Sequence, residues 1–435
     1  MAIKLAIVGM EAFFGTCHGL DNFKHSIYDA TQHFIPIYPT RGQDLQQKQS
    51  TGSELDFQNG KALLGAYIKD FQIDAFRFKI PPNDLDKIDP KQLLLLKVVD
   101  SALRDAGLDQ KGKPRLNVAV VAVIEENLVN EDEPRSETSN QLAQAIDNDS
   151  SLSEKKNIVF SKLANLWNIS GPNFTVCVEE NSVFEALETA KMLLTMEPVD
   201  AVVVGALNFT SDSAGLPEGC YTNRQSARTA SINTGKPSLS YDCDVNGWMV
   251  GEGAGAVVLK RYERAKYDRD RIYATLDAVS LMYESTTSLA ESVRQTCQKA
   301  FDKAGVNSTD IGYLEVFGSG VEQQDEAEIQ GLIQAYQVPN PELSCAIGSV
   351  KANIGHTYVA SGIASLIKTA LCLYNRFIPA TPQWSSPKNL EIWHNSPFYV
   401  ATESRPWFLT EGLSNRVAAI NSLGYDGTYA HAILS

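Results

Sequence analysis

The sequence is short of cysteine, of basic charge and of long apolar runs. Seven cysteines in 435 residues, with no paired short spacings, argue against a disulfide framework and against a zinc-binding set. Scattered reduced thiols, and with them a cytoplasmic location, are the expectation. Against 52 Asp and Glu stand 38 Lys and Arg, a formal charge of −14. That removes nucleic acid as a default partner, because phosphate binding needs a net basic face. No apolar run approaches the ~18 residues of a membrane span. The opening MAIKLAIVGM holds one Lys and a short apolar stretch ending in glycine, so neither an anchor nor a signal peptide is expected. A lysine in P-loop spacing is lacking as well. Gly251, Gly253 and Gly255 precede a strand instead of opening a helix, which leaves close approach of backbones as their use and excludes a nucleotide cradle. Neither a metal nor a resident cofactor is expected.

What is there is ordinary globular composition, 43% hydrophobic and 21% charged, enough apolar side chain for a large core. IKLAIVGM (3–10) is a short β-branched run stopped by glycine, the pattern of a buried parallel strand. Similar runs follow at 118–124, 174–178, 201–207, 253–259, 313–318 and 416–422. Helical stretches lie between them. One covers 93–107, and another covers 182–196, where Val183, Leu187, Ala190 and Leu194 recur at helical spacing. Strands alternating with helices predict an α/β fold on largely parallel sheets.

The seam between two halves is expected at KRYERAKYDRDR (260–271), where six basic residues outnumber Glu263, Asp268 and Asp270. Such an island suits an acidic partner, although a charge run is more often a solvated face. The polar stretch 125–156 reads as an exposed excursion.

GPNFTVCVEENSVFEALETA (171–190) is strand, sharp turn, helix. That layout places one side chain at a helix N-terminus, where backbone N–H groups favour negative charge. The run resembles the active-site segment of β-ketoacyl synthases, G-P-(S)-x-T-V-D-T-A-C-S-S-S. Gly171, Pro172, Thr175, Val176 and Ser182 set the register, and the family's nucleophilic cysteine falls on Glu180. A carboxylate cannot form the acyl thioester that chain transfer requires. Cys177 lies three positions earlier, inside an apolar run, and is read as a small buried hydrophobe.

The resemblance extends over the whole chain, through 78–108, YDCDVNGWMVGEGAGAVVLK (241–260), GSVKANIGHTYVASG (348–362) and INSLGYDGTYAHAIL (420–434). It implies a thiolase-type fold: two similar α/β halves, 1–260 and 261–435, in a layered αβαβα sandwich, dimerised through an edge strand at which 201–209 is placed. Lys351 and His356 match the family's lysine and second histidine. LEVFGSGVEQQDEAE (314–328) puts Phe317 where the first histidine belongs, and phenylalanine neither stabilises an oxyanion nor exchanges a proton. Tyr425 and Asp426 stand where the glycine-rich terminus has Phe and Gly, so negative charge and a lost glycine are expected at the oxyanion hole. His431 falls in the terminal Ala-His, a structural position.

No catalytic set is therefore intact: Glu180, Phe317, Lys351 and His356 are a vestigial site. The pattern resembles the chain-length factors of polyketide and polyunsaturated fatty acid synthases. It implies a silent half of a heterodimer with an active ketosynthase, working on acyl chains carried by the phosphopantetheine of an acyl carrier protein. Trp248, Phe317 and Tyr425 are candidate tunnel walls. Glu180 is expected to hold the corner by bonding to Lys351 or His356. Two alternatives stand beside this reading: a malonyl-carrier decarboxylase using His356 and Lys351, and a structural homodimer that scaffolds other domains.

Overall fold

The structure is a computed structural model. It describes residues 3–36, 64–108, 117–124, 163–209 and 233–435, apart from 70, 164, 165, 168, 170, 178, 197, 234, 284–286, 338–342, 395, 410 and 411. The excursion at 125–156, and Cys220, lie outside the described residues.

Eleven strands carry the architecture: β1 Leu5–Phe14, β2 Val118–Ile124, β3 Asn173–Val176, β4 Ala201–Asn208, β5 Gly253–Arg261, β6 Ala274–Met282, β7 Ile311–Glu315, β8 Cys345–Gly348, β9 Phe398–Val400, β10 Val417–Leu423 and β11 Tyr429–Leu434. Among the described helices that pack on them are α1 Pro90–Asp105, α2 Ser182–Thr195, α3 Leu289–Ala304, α4 Glu322–Ala335, α5 Lys351–Ile354 and α6 Ser361–Asn375. The spatial order is β9-β8-β7-β10-β11-β6-β1-β5-β4-β2-β3. Read outward from its middle, the path contains the same pattern twice. Strands β1 to β5 lie in the order 3-2-4-5-1, and so do β6, β7, β8, β10 and β11 taken in sequence. Strand directions repeat as well, with two antiparallel pairings followed by two parallel ones in each half. The halves meet where β1 pairs β6 through Leu5↔Leu276, Ala6↔Thr275 and Ile7↔Ala274.

Two strand faces need two helical layers, and alternation along β2 shows how they are filled. Ala119, Val121 and Val123 join the core that holds α2 and α6, whereas Val118, Val120 and Ala122 join the core under α1. In the second half Ala418 and Ile420 face α6, while Val417 and Ala419 face the core shared by α3 and α4. The result is α1, sheet, α2 with α6, sheet, α3 with α4: the layered αβαβα sandwich. Burial on both faces explains why β2 and β4 read as unbroken apolar runs.

Four expectations need correction. The sheet is mixed, because β5 and β11 each run antiparallel to both neighbours. Strand β1 does not stop at Gly9 but runs on to Phe14. Gly9 lies at a register shift where α1 crowds the backbone, and a Cβ there would sit 2.5 Å from the Ala102 carbonyl oxygen. Residues 201–209 are not at the edge: β4 is buried throughout between β5 and β2. The outermost described strand on that side is β3, whose Asn173, Phe174 and Thr175 are exposed. Finally, the basic run 260–271 is largely neutralised from within. Buried Lys260 meets Asp268 at 2.6 Å and also bonds Asp270, Arg264 reaches Asp268, and Arg271 pairs with Asp105.

Gly253 and Gly255 lie within β5 instead of preceding it, and close packing is their use: a Cβ at Gly255 would stand 2.9 Å from the Ile367 side chain on α6. No described helix is long and apolar enough to cross a membrane.

Candidate functional site

The corner between β3 and α2 forms as its sequence suggests. Glu179 adopts a left-handed φ of 51°, turning the chain sharply, and Ser182 Oγ donates to the Glu179 carbonyl oxygen at 2.6 Å. Glu180, 1% exposed, is thereby buried two residues before α2, at the helix end where partial positive charge accumulates. The Tyr425 N–H donates to its Oε2 at 3.2 Å. That bond ties the corner to the glycine-rich turn between β10 and β11. It is not the expected bond to Lys351 or His356.

Phe317 follows β7 and is held by α4. Glu328 accepts from the N–H groups of Phe317 and Gly318, each at 2.9 Å, and Asp325 accepts from the Ser319 N–H at 2.6 Å. Two buried carboxylates thus grip the loop and aim the ring inward. Burial and the neighbouring Glu328 push the Asp325 carboxyl up to about 6. The Phe317 ring meets His356 edge-on at 5.6 Å, and Lys351 Nζ lies 3.5 Å above its centroid. Lys351 also donates to the Phe317 carbonyl oxygen at 2.5 Å. Burial lowers the lysine to about 8, opposed by the charges of Glu328, Glu315, Asp325 and Glu180.

His356 is enclosed by rings. Tyr358 stacks on it at 4.9 Å and 13°, and Trp248 meets it edge-on at 5.9 Å. The Tyr358 N–H donates to Nδ1 at 3.3 Å, and Ser361 Oγ lies 2.9 Å from the same atom. An accepting Nδ1 leaves the proton on Nε2, which has no hydrogen-bond partner among the described residues. Burial, with Lys351 adding to it, holds the imidazole well below its ordinary pKa, so it is neutral.

Of the altered terminus, Tyr425 reaches the corner through its backbone. Asp426 is exposed, and its Oδ1 accepts from Thr428 N–H at 3.1 Å and Thr428 Oγ1 at 2.6 Å. Its carboxylate closes its own turn, contrary to the expected charge at the oxyanion hole. The left-handed position of that turn is Gly427, with φ 82°, so Asp426 displaces no needed glycine. His431 is structural: Nδ1 faces Asn421 Oδ1 at 3.1 Å, Nε2 faces the Tyr336 hydroxyl at 3.2 Å, and burial lowers it to about 3. Cys177 is exposed, not buried, because it follows the outermost strand.

Sequence reasoning missed Tyr358, Ser361 and the carboxylate pair Asp325 and Glu328. All four lie inside or beside the quoted motifs, but their roles depend on side-chain direction. The void left among Trp248, Gly318, Lys351 and His356 is about 20 Å³. That is room for about one water. Among the described residues the corner offers one neutral imidazole N–H and one ammonium, with Glu180 buried at the turn before α2.

Comparison with known families places this geometry. Residues 3–265 match the model of the beta-ketoacyl synthase N-terminal domain, and residues 273–385 match that of its C-terminal domain. The chain belongs to the β-ketoacyl synthase family. Among its curated relatives is one subunit of the polyunsaturated fatty acid synthase of Thraustochytrium sp., 30% identical over 463 residues, covering 100% of this chain and 21% of that protein. Another is polyketide synthase PksL of Bacillus subtilis, 27% identical, covering 99% of this chain and 9% of that protein. This ketosynthase-family chain therefore spans about a fifth or less of those two relatives. Among solved structures, the ketosynthase from module 6 of the Bacillus subtilis bacillaene synthase superposes with a TM-score of 0.79 at 25% identity, covering 99% of this chain and 71% of that one. A structure described as the PfaC keto synthase–chain length factor gives a TM-score of 0.71 at 28% identity, covering 100% of this chain and 43% of that one.

Proposed function

We propose that this chain is a chain-length factor, a silent ketosynthase homologue that pairs with an active ketosynthase and helps set the length of its acyl products. The observation that carries the reading is Glu180, buried at the corner where the family places its cysteine, beside a Phe317 ring packed on Lys351 and His356. A void of about 20 Å³ beside Trp248 and His356 admits no acyl chain, and in this reading Trp248, Phe317 and Tyr425 limit the chain by bulk, not by chemistry. The exposed β3 edge, with Phe174 42% exposed, supplies unpaired backbone groups for a partner's edge strand. Acyl carrier protein is the proposed source of the chains.

Co-purification with an active ketosynthase domain tests the pairing. Incubation with an acyl thioester, followed by intact mass, tests the silence. A covalent acyl adduct, or unaided condensation of acyl and malonyl carriers, would sink the reading.

The unpartnered Nε2–H of His356 favours a second reading, decarboxylation of malonyl carrier protein with Lys351 assisting. The small void and the negative charge of Glu180 weigh against it. Carbon dioxide release that disappears in His356→Ala is its test, and release at background level removes it.

A further inference from the structure

Beyond the closed corner, the C-terminal end of α6 gathers three arginines that no described carboxylate neutralises. Arg376 is the left-handed cap of α6, with φ 59°. Arg405 pairs with Ile378 in a short two-stranded ribbon. Arg416 donates from Nε to the Trp407 carbonyl oxygen at 2.6 Å, and the Trp407 N–H donates to the Arg376 carbonyl oxygen at 2.8 Å. One tryptophan thus joins two of the arginine segments, and the ribbon joins the third. Burial, with Arg376 adding to it, lowers the Arg416 guanidinium below its ordinary pKa. Among the described residues none of the three makes an ion pair, in contrast to Lys260, Arg264 and Arg271.

Apolar side chains share this surface. Phe408 is 80% exposed, Tyr374 46% and Tyr28 48%. Tyr28 meets Phe377 of the ribbon at 5.2 Å, and Arg405 lies 4.4 Å over the Tyr399 ring. Arginines interleaved with exposed tyrosine and phenylalanine have the composition of protein-binding hot spots. In a chain of charge −14, a group that no described carboxylate neutralises is presented to carboxylates on a partner. Nucleic acid is disfavoured by the same overall charge. The face lies at the far end of α6 from Ser361, about 22 Å for 15 residues at 1.5 Å each, so it is a separate surface from the corner.

We propose that this arginine and aromatic face docks the acidic surface of the carrier protein, and that the internally paired stretch 260–271 does not. The proposal rests on the reading of a carrier protein as partner. Contact requires carboxylates spaced to meet Arg376 and Arg405, flanked by aliphatic side chains that cover Phe408 and Tyr374.

Binding of fluorescently labelled apo carrier protein from an acyl-chain-elongating synthase is the test. Arg376→Glu and Arg405→Glu are each expected to weaken binding roughly tenfold at low salt, with Lys266→Glu as the control in the internally paired stretch. Arg376→Gln and Arg405→Gln give smaller losses and guard against misfolding, which thermal melting checks. Equal binding by the arginine variants, or loss confined to Lys266→Glu, overturns the docking face. So does tighter binding of anionic-lipid vesicles than of carrier. Co-elution with an active ketosynthase is measured separately. If the parent chain co-elutes but binds no carrier, the docking proposal falls and the pairing stands. If it binds carrier through these arginines but never pairs, only the chain-length-factor reading falls.

Discussion

Lys351 Nζ sits 3.5 Å above the centre of the Phe317 ring and donates to the carbonyl oxygen of the same residue. One residue thus engages Lys351 through both its ring and its backbone. A cation over an aromatic face is stabilised when desolvated, so this contact helps keep the corner packed.

Lys351 titrates at about 8 in the folded protein against an ordinary value of 10.5. Between those values the unfolded chain binds more protons than the folded one, so stability rises with pH through that window. Below pH 8 the buried ammonium opposes folding. In Lys351→Met this rise is expected to be lost, and the difference between the two stability curves between pH 8 and 10.5 should amount to roughly 3 kcal/mol. Urea denaturation over pH measures it, and parallel curves would refute the assignment.

Glu180→Gln keeps an acceptor for the Tyr425 N–H, whereas Glu180→Ala removes it and opens a gap in a buried corner. The Gln variant is expected within about 1 kcal/mol of the parent and the Ala variant about 2 kcal/mol below it. Chemical denaturation separates these. Equal losses would show that the carboxylate does not tie the corner to the turn.

Tyr358 carries a stacked ring at a left-handed φ of 44°. Glycine at that position relieves backbone strain that alanine retains, while both remove the ring. Tyr358→Gly is therefore expected to be more stable than Tyr358→Ala by about 1 kcal/mol, even though glycine is the worse residue elsewhere. The melting temperatures of the two variants decide it.

Phe174 lies on the exposed edge strand and belongs to none of the cores. Phe174→Asp should leave the melting temperature of the separate chain within about 2 °C of the parent while reducing association through that edge. Light scattering after size exclusion, with and without an active ketosynthase, reads the association. Undiminished pairing would place the interface elsewhere.

Much of the fold and of the corner is legible in the sequence because it is written in local terms. The strand VAVVAVI stands out at 118–124 from its composition alone, since burial on two faces demands an unbroken apolar run. Glu180, Phe317, Lys351 and His356 follow from motif spacing, and a chain in register carries its residues to fixed points of the corner. Four of the eleven strands escape. Strands β6 and β11 carry polar residues such as Asp277 and His431 among the apolar ones, and β8 and β9 are only four and three residues long.

The tertiary structure decided what depends on distant segments and on side-chain direction. Pairing partners in a sheet lie far apart in sequence, so only the assembled order makes β3 the outer strand and β4 an inner one. Charge counting along 260–271 does not register that Asp105, 166 positions from Arg271, neutralises it. Asp426 bonds Thr428, Tyr358 closes over His356, and Trp407 links the Arg376 and Arg416 segments at the end of a helix. The sequence alone determined which side chains stand at the corner. Packing determined that the space left there holds about one water, and it gathered arginines that no described carboxylate neutralises at a different face.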